Sequence, residues 1–183
     1  MTINLKGANL YLVGMMGAGK STTGRCLAHT LGYRFLDTDT LIEELTKKSI
    51  TDIFREQGEA YFRELERNVL AEASSYHHLV VATGGGIVLD SMNWSYLRQG
   101  VVVWLNVPPP ILSKRLAQDH SRPLLRDKPL LEHLEMMAAE RERFYAQADL
   151  ELLIQSEEAA QDICDRLLNT LAAIVKDQEA LAE

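Results

Sequence analysis

At 183 residues, with 46% hydrophobic and 25% charged side chains, the chain has the make-up of one globular domain around one buried core. A net charge of −7 speaks against nucleic acid or an anionic membrane as a partner. Cys26 and Cys164 each lie in an apolar helical pattern and read as buried thiols rather than a disulfide or zinc site; with no membrane-length apolar run and no leader-like N-terminus, the expected setting is the cytoplasm.

The first predicted element is a short apolar strand, Asn9 to Val13. It runs into Gly14-Met15-Met16-Gly17-Ala18-Gly19-Lys20-Ser21-Thr22, and an amphipathic helix follows from Lys20 to Leu31. The pattern GxxxxGK(S/T) between a strand and a helix is a P-loop. Its glycines let backbone N–H groups of Gly17, Ala18, Gly19, Lys20, Ser21 and Thr22 turn inward around a polyphosphate. Lys20 supplies a point charge for the β and γ phosphates, and the Ser21 hydroxyl is the expected protein ligand of a Mg²⁺ ion. The chain is predicted to bind a nucleoside triphosphate.

Gly32 ends this helix, and Tyr33 to Leu36 forms a second strand that opens directly into Asp37-Thr38-Asp39-Thr40. Carboxylates at the C-terminal end of a parallel strand sit where such sheets bind ligands. They serve a Mg²⁺ shell or accept a hydroxyl proton; alternatively Asp39 or Thr40 caps a helix starting at Leu41. Helices are predicted over 41–48, 49–57 with a stop at Gly58, and 59–75. On the last, Arg63 lies four residues after Glu59 and three before Glu66, so both acids face its guanidinium. That pattern fits an oriented, functional Arg and an exposed ion-pair ladder equally well.

His77 to Thr83 is read as a third strand, with its two histidines on the surface. It meets Gly84-Gly85-Gly86, an entropically costly run that calls for a ligand or a neighbouring segment close to the backbone. A helix over 91–98 precedes a continuous apolar strand, Val101 to Leu105, of the kind found at the centre of a parallel sheet. Pro108-Pro109-Pro110 opens a helix through Leu116. Residues 117–130 are polar and carry two prolines, and they read as a mobile lid in which Arg122 can close over a phosphate. A helix over 130–145 follows, then a fifth strand, Leu150 to Ile154. Ser156 caps a last helix from Glu157 to about Val175, and the tail from 176 is expected to fray. Arg115, Arg122, Arg126, Arg141 and Arg143 concentrate basic charge in one part of an acidic chain, which suits a local anion site. Five strands alternating with helices, with no repeat or linker, predict one α/β domain with a parallel sheet covered on both faces.

In order along the chain, Gly14–Thr22, Phe35-Leu36-Asp37-Thr38-Asp39, Phe62-Arg63-Glu64-Leu65-Glu66, Gly84-Gly85-Gly86 and Arg122-Pro123-Leu124-Leu125 together resemble the shikimate kinases, to about Leu171. Arg141 with Tyr145, and Ala148-Asp149, fit as well. The resemblance implies a three-layer P-loop NTPase fold of the nucleoside monophosphate kinase type, with strand order 2-3-1-4-5. It implies transfer of the γ-phosphoryl of ATP to the 3-hydroxyl of shikimate. No helix carries a surplus apolar stripe, so a monomer is expected. By motif, Ser21 and Asp37 would hold Mg²⁺, and Asp39 would bind shikimate hydroxyls and act as candidate base. Arg63 and Arg141 would clamp the carboxylate, with Glu66 orienting Arg63, and the acceptor region would span about 37–75. Gly84, Gly85 and Gly86 would approach the acceptor, Lys20 and Arg122 would act on the phosphates, and Arg115 and the Gln155–Glu158 loop would lie near adenine. Arg143, two residues from Arg141, leaves the second clamp open between them. A gluconate kinase of the same fold, or a non-catalytic nucleotide-binding module, is the rival reading.

Overall fold

The structure, a computed structural model, describes residues 5–117, 129–155 and 158–180. Five parallel strands form one sheet in the order β2-β3-β1-β4-β5: β1 Leu10–Val13, β2 Arg34–Asp37, β3 Leu79–Ala82, β4 Val101–Asn106 and β5 Leu150–Leu153. This is the order and fold class expected. The inner strands are apolar but for Asn106 at the end of β4, because helices cover both faces, whereas edge strand β2 starts at exposed Arg34. Register aligns Asp37 with Ala82 and Leu12 with both Ala82 and Val103, so the C-terminal ends of β2, β3 and β1 lie together. In an open α/β sheet that edge is where ligands sit.

The helices are α1 Lys20–Leu31, α2 Thr38–Thr46, α3 Ile50–Ser74, α4 Ser91–Leu97, α5 Pro109–Leu116, α6 Leu130–Tyr145 and α7 Ala160–Ala180. α1 packs beside α7, α2 beside α3, and α5 beside α6. Gly58 breaks α3 where the sequence predicted a stop: its φ of 82° and ψ of 171° are closed to side-chain-bearing residues. The main core gathers around the strands. A separate small cluster, Ile42, Ile53, Phe62 and Val69, holds α2 to α3.

Three boundaries differ from expectation for local reasons. β3 begins at Leu79 because His78, at φ 60°, turns its N–H to the Gly7 carbonyl, and the buried Asn9 side chain then accepts from Leu79 N. α2 begins at Thr38 rather than Leu41, since the cap is Asp37 and neither Asp39 nor Thr40. Its Oδ1 accepts from Asp39 N at 3.1 Å and Thr40 N at 3.2 Å. α7 begins at Ala160 and runs on to Ala180, past the expected fraying point; Ser156 and Glu157 lie outside the described residues. So does 118–128, with Arg122 and Arg126 of the expected lid. Among the described residues no helix is long and apolar enough to cross a membrane.

Candidate active site

The P-loop wraps the start of α1. Gly19 caps the helix with φ 89°, and no side chain takes the helix's first N–H groups, which leaves them facing the cavity as an anion cradle. Lys20 is 8% exposed and folds back, donating to the carbonyls of Gly14 at 2.8 Å and Met15 at 2.9 Å. Its ammonium thus sits inside the loop, where bound phosphate oxygens would compete with the carbonyls for it. Arg115, on the last turn of α5, donates to Gly17 O at 3.3 Å.

Ser21 and Asp37 meet across the same space, Ser21 Oγ donating to Asp37 Oδ2 at 2.5 Å. A hydroxyl and a carboxylate are hard oxygen donors, and a Mg²⁺ ion takes one or two such protein ligands with phosphates and water completing its shell. The pair fits that ion. Asp37 does this while its other oxygen caps α2, and the cap's position leaves Asp39, in the helix's first turn, on the cavity wall.

Two cavities open at the C-terminal edge of the sheet. One, of about 610 Å³, is lined by Gly17, Lys20, Ser21, Asp37, Arg115 and the start of α7. The other, of about 290 Å³, is lined by Asp39, Phe54, Phe62, Arg63, Glu66, Gly84–Gly86 and Arg141. They share Met16, Asp39 and Gly85.

The smaller cavity is built from side chains of four segments. Arg63 is held as its spacing foretold: Nη1 donates to Glu66 Oε2 at 2.8 Å, and Nη2 to Glu59 Oε1 at 2.8 Å. Glu59 is exposed but Glu66 is 1% exposed, so the ladder reading holds for one partner only. Burial pushes the Glu66 carboxyl up to about 7, against the pull of Arg63, and Asp39 adds to the rise. The glycine run answers to neighbouring side chains. A methyl on Gly86 would come within 2.6 Å of Arg63 Nη2, and one on Gly84 within 2.9 Å of Asp39 Oδ1. Both guanidiniums therefore approach bare backbone: Arg141 is 9% exposed and donates to Gly85 O at 3.3 Å. Arg143 is exposed and stacks over Phe144 at 4.7 Å, outside the lining of the smaller cavity.

A statistical model of the shikimate kinase family matches residues 16–172. The chain is 59% identical, over 96% of each sequence, to a shikimate kinase of Thermosynechococcus vestitus, and 50% identical to one of Microcystis aeruginosa over 95% and 92%. The chain belongs to the shikimate kinase family. As a member it is an ATP-dependent small-molecule kinase. A solved shikimate kinase from Acinetobacter baumannii in complex with shikimate superposes with a TM-score of 0.89 at 37% identity, covering 93% of this chain and 96% of that one. A gluconokinase from Sinorhizobium meliloti shares the fold, at a TM-score of 0.58 and 16% identity.

Several residues in and around the site have no role assigned from the sequence. Thr38, fully buried between the two acids, accepts from Gly84 N at 3.0 Å and ties the end of β2 to the glycine loop. The Tyr145 hydroxyl donates to Gly85 O at 2.6 Å while its ring stacks on Trp104; burial raises this phenol to about 12, so it stays a donor. Phe54 pairs with Phe62, ring centroids 4.8 Å apart, as an apolar wall that a period-based reading counts simply as core. Asp149, part of the resemblance, binds Val102 N at 2.8 Å and pins β5 to β4.

Proposed function

We propose that this chain transfers the γ-phosphoryl group of ATP to the 3-hydroxyl of shikimate, releasing ADP and shikimate 3-phosphate. The observation that carries the reading is the pair of cavities meeting at Asp39, one with a phosphate cradle and the other with two buried or half-buried guanidiniums. ATP lies in the larger cavity, its phosphates on the N–H groups of Gly17 to Thr22 and on Lys20, with Arg115 toward the base. Shikimate lies in the smaller one, its carboxylate on Arg63 and Arg141 and its hydroxyls toward Asp39 and the backbone of Gly84–Gly86. Planar, fork-shaped donors suit a carboxylate, and a carboxylate acceptor suits neighbouring hydroxyls.

Phosphoryl transfer asks the protein chiefly for alignment and charge neutralisation. Asp39, at the junction, orients the attacking hydroxyl and accepts its proton as the bond to phosphorus forms. Lys20 follows the charge on the transferred group, and Arg122 adds to it. Ser21 and Asp37 would hold Mg²⁺, which would supply neutralisation of the phosphate charge. The Met16, Phe54 and Phe62 side chains exclude water from the acceptor. The protein acts as a monomer in the cytoplasm.

The test is ADP release from Mg-ATP by the purified chain with shikimate, with gluconate and with no acceptor. Release that depends on shikimate is expected. Release with gluconate instead would keep the P-loop roles and reassign Asp39, Arg63 and Arg141; no release despite ATP binding would make the chain a non-catalytic nucleotide-binding module.

A further inference from the structure

The two cysteines, 138 positions apart in sequence (164 − 26), are neighbours in space. α1 packs against α7, and across that contact Cys26 packs against the core that holds Cys164 and helps to raise the Cys164 thiol. The Cys26 thiol donates to Gln161 Oε1 at 3.3 Å, one turn before Cys164 on α7. Cys164 is fully buried, while Cys26 is half-buried and open to a reagent at the edge of the helix pair. Both helices border the larger cavity: α1 brings Lys20 and Ser21, and α7 brings Ala160 and Ile163, the residue next to Cys164.

We propose that Cys26 and Cys164 form a reactive dithiol that closes to a disulfide between α1 and α7 and thereby weakens nucleotide binding in the adjoining cavity. The oxidant is a low-molecular-weight disulfide. The Cys26 thiolate attacks one of its sulfurs, forming a mixed disulfide and expelling one thiolate. The Cys164 thiolate then attacks the Cys26 sulfur and expels the second. Two electrons pass to the small disulfide, which is reduced to two thiols, and the protons of Cys26 and Cys164 pass through solvent to the thiolates released. A disulfide holds its two Cα atoms about 4.4–6.8 Å apart, so closure fixes α7 against α1 and with it Ala160 and Ile163 at the cavity edge. Burial pushes the Cys164 thiol up to about 12, so the second attack is the slow one and quickens as pH rises.

This inference rests on the nucleotide reading of the larger cavity, and linkage is scored without turnover so that the two can fail separately. The purified full chain is incubated with mixtures of reduced and oxidised glutathione across a pH series. Peptide mass mapping without reductant then locates the linkage, and ATP affinity is measured on reduced and oxidised protein. Expected is a Cys26–Cys164 cross-link formed faster at higher pH, with ATP affinity lowered roughly fivefold or more and restored by dithiothreitol. Cys26→Ser removes both effects and keeps the reduced-state affinity. A glutathione adduct confined to Cys26, a link between two copies of the chain, or a Cys26–Cys164 link with unchanged ATP affinity overturns the proposal.

Discussion

The donor and acceptor halves of the site are held in place by different means. Around the P-loop the positioning atoms are mostly backbone: carbonyls of Gly14, Met15 and Gly17 hold Lys20 and Arg115, and the loop springs from strands buried in the main core. The acceptor cavity is held by side chains on side chains, Arg63 between Glu59 and Glu66, over a cluster of only four buried residues. A backbone cradle depends on a short contiguous pattern, whereas a side-chain cradle depends on elements brought together by the fold. The first tolerates changes nearby and fails at one lysine; the second spreads its dependence over several residues.

The largest expected effect tests the donor half. Lys20→Ala should lower kcat by about 10³-fold with the melting temperature nearly kept, and acceptor binding measured calorimetrically should stay within a few-fold. Near-normal turnover would break the assignment of the P-loop. Next, Arg63→Ala should raise the KM for the acceptor by about 10- to 100-fold and leave the KM for ATP within about twofold, because its partners all belong to the acceptor half. Equal loss on both substrates would mean that the two halves are not separately held.

A third prediction concerns the buried acid. The folded Glu66 carboxyl, at about 7, lies above its ordinary 4.5, so between those values the native state keeps a proton that the unfolded chain has lost. Stability from this group is full below 4.5, falls as pH rises toward 7 and is level above it. Unfolding free energies from urea titrations over that window should fall less with pH in Glu66→Gln than in the parent, the difference amounting to at most about 3 kcal/mol. Parallel curves would remove Glu66 from the comparison. The smallest effect is expected at Arg143→Ala: a change in acceptor KM below about twofold, against a rise of tenfold or more for Arg141→Ala. Similar losses at both positions would show that the exposed arginine reaches the substrate after all.

The same contrast decides what could be read in advance. The P-loop lies within nine consecutive residues, from Gly14 to Thr22, and five strands of apolar runs were enough for the order of elements. Arg63 was legible because its two acids stand at helical spacing. Arg141 and Arg143 were not separable by residue type; helix phase separates them, since Arg141 and Tyr145, four apart, reach the same Gly85 carbonyl while position 143 turns away. Asp37 was read as a metal ligand and its capping of α2 was missed, because in Asp-Thr-Asp-Thr four adjacent residues are all good caps and only geometry picks one. The meeting of Cys26 with Cys164 depends on how α1 lies against α7, which no spacing along the chain encodes.

One consequence follows from the break in α3. A methyl group on Gly58 would touch nothing within 4 Å, so space does not reserve that position for glycine. Its backbone angles do. The segment before it can therefore change sequence, and with it the contour of the acceptor pocket, while its aim over the sheet is kept by a torsion that only glycine adopts at ease. At that position what a lineage must keep is a direction in space.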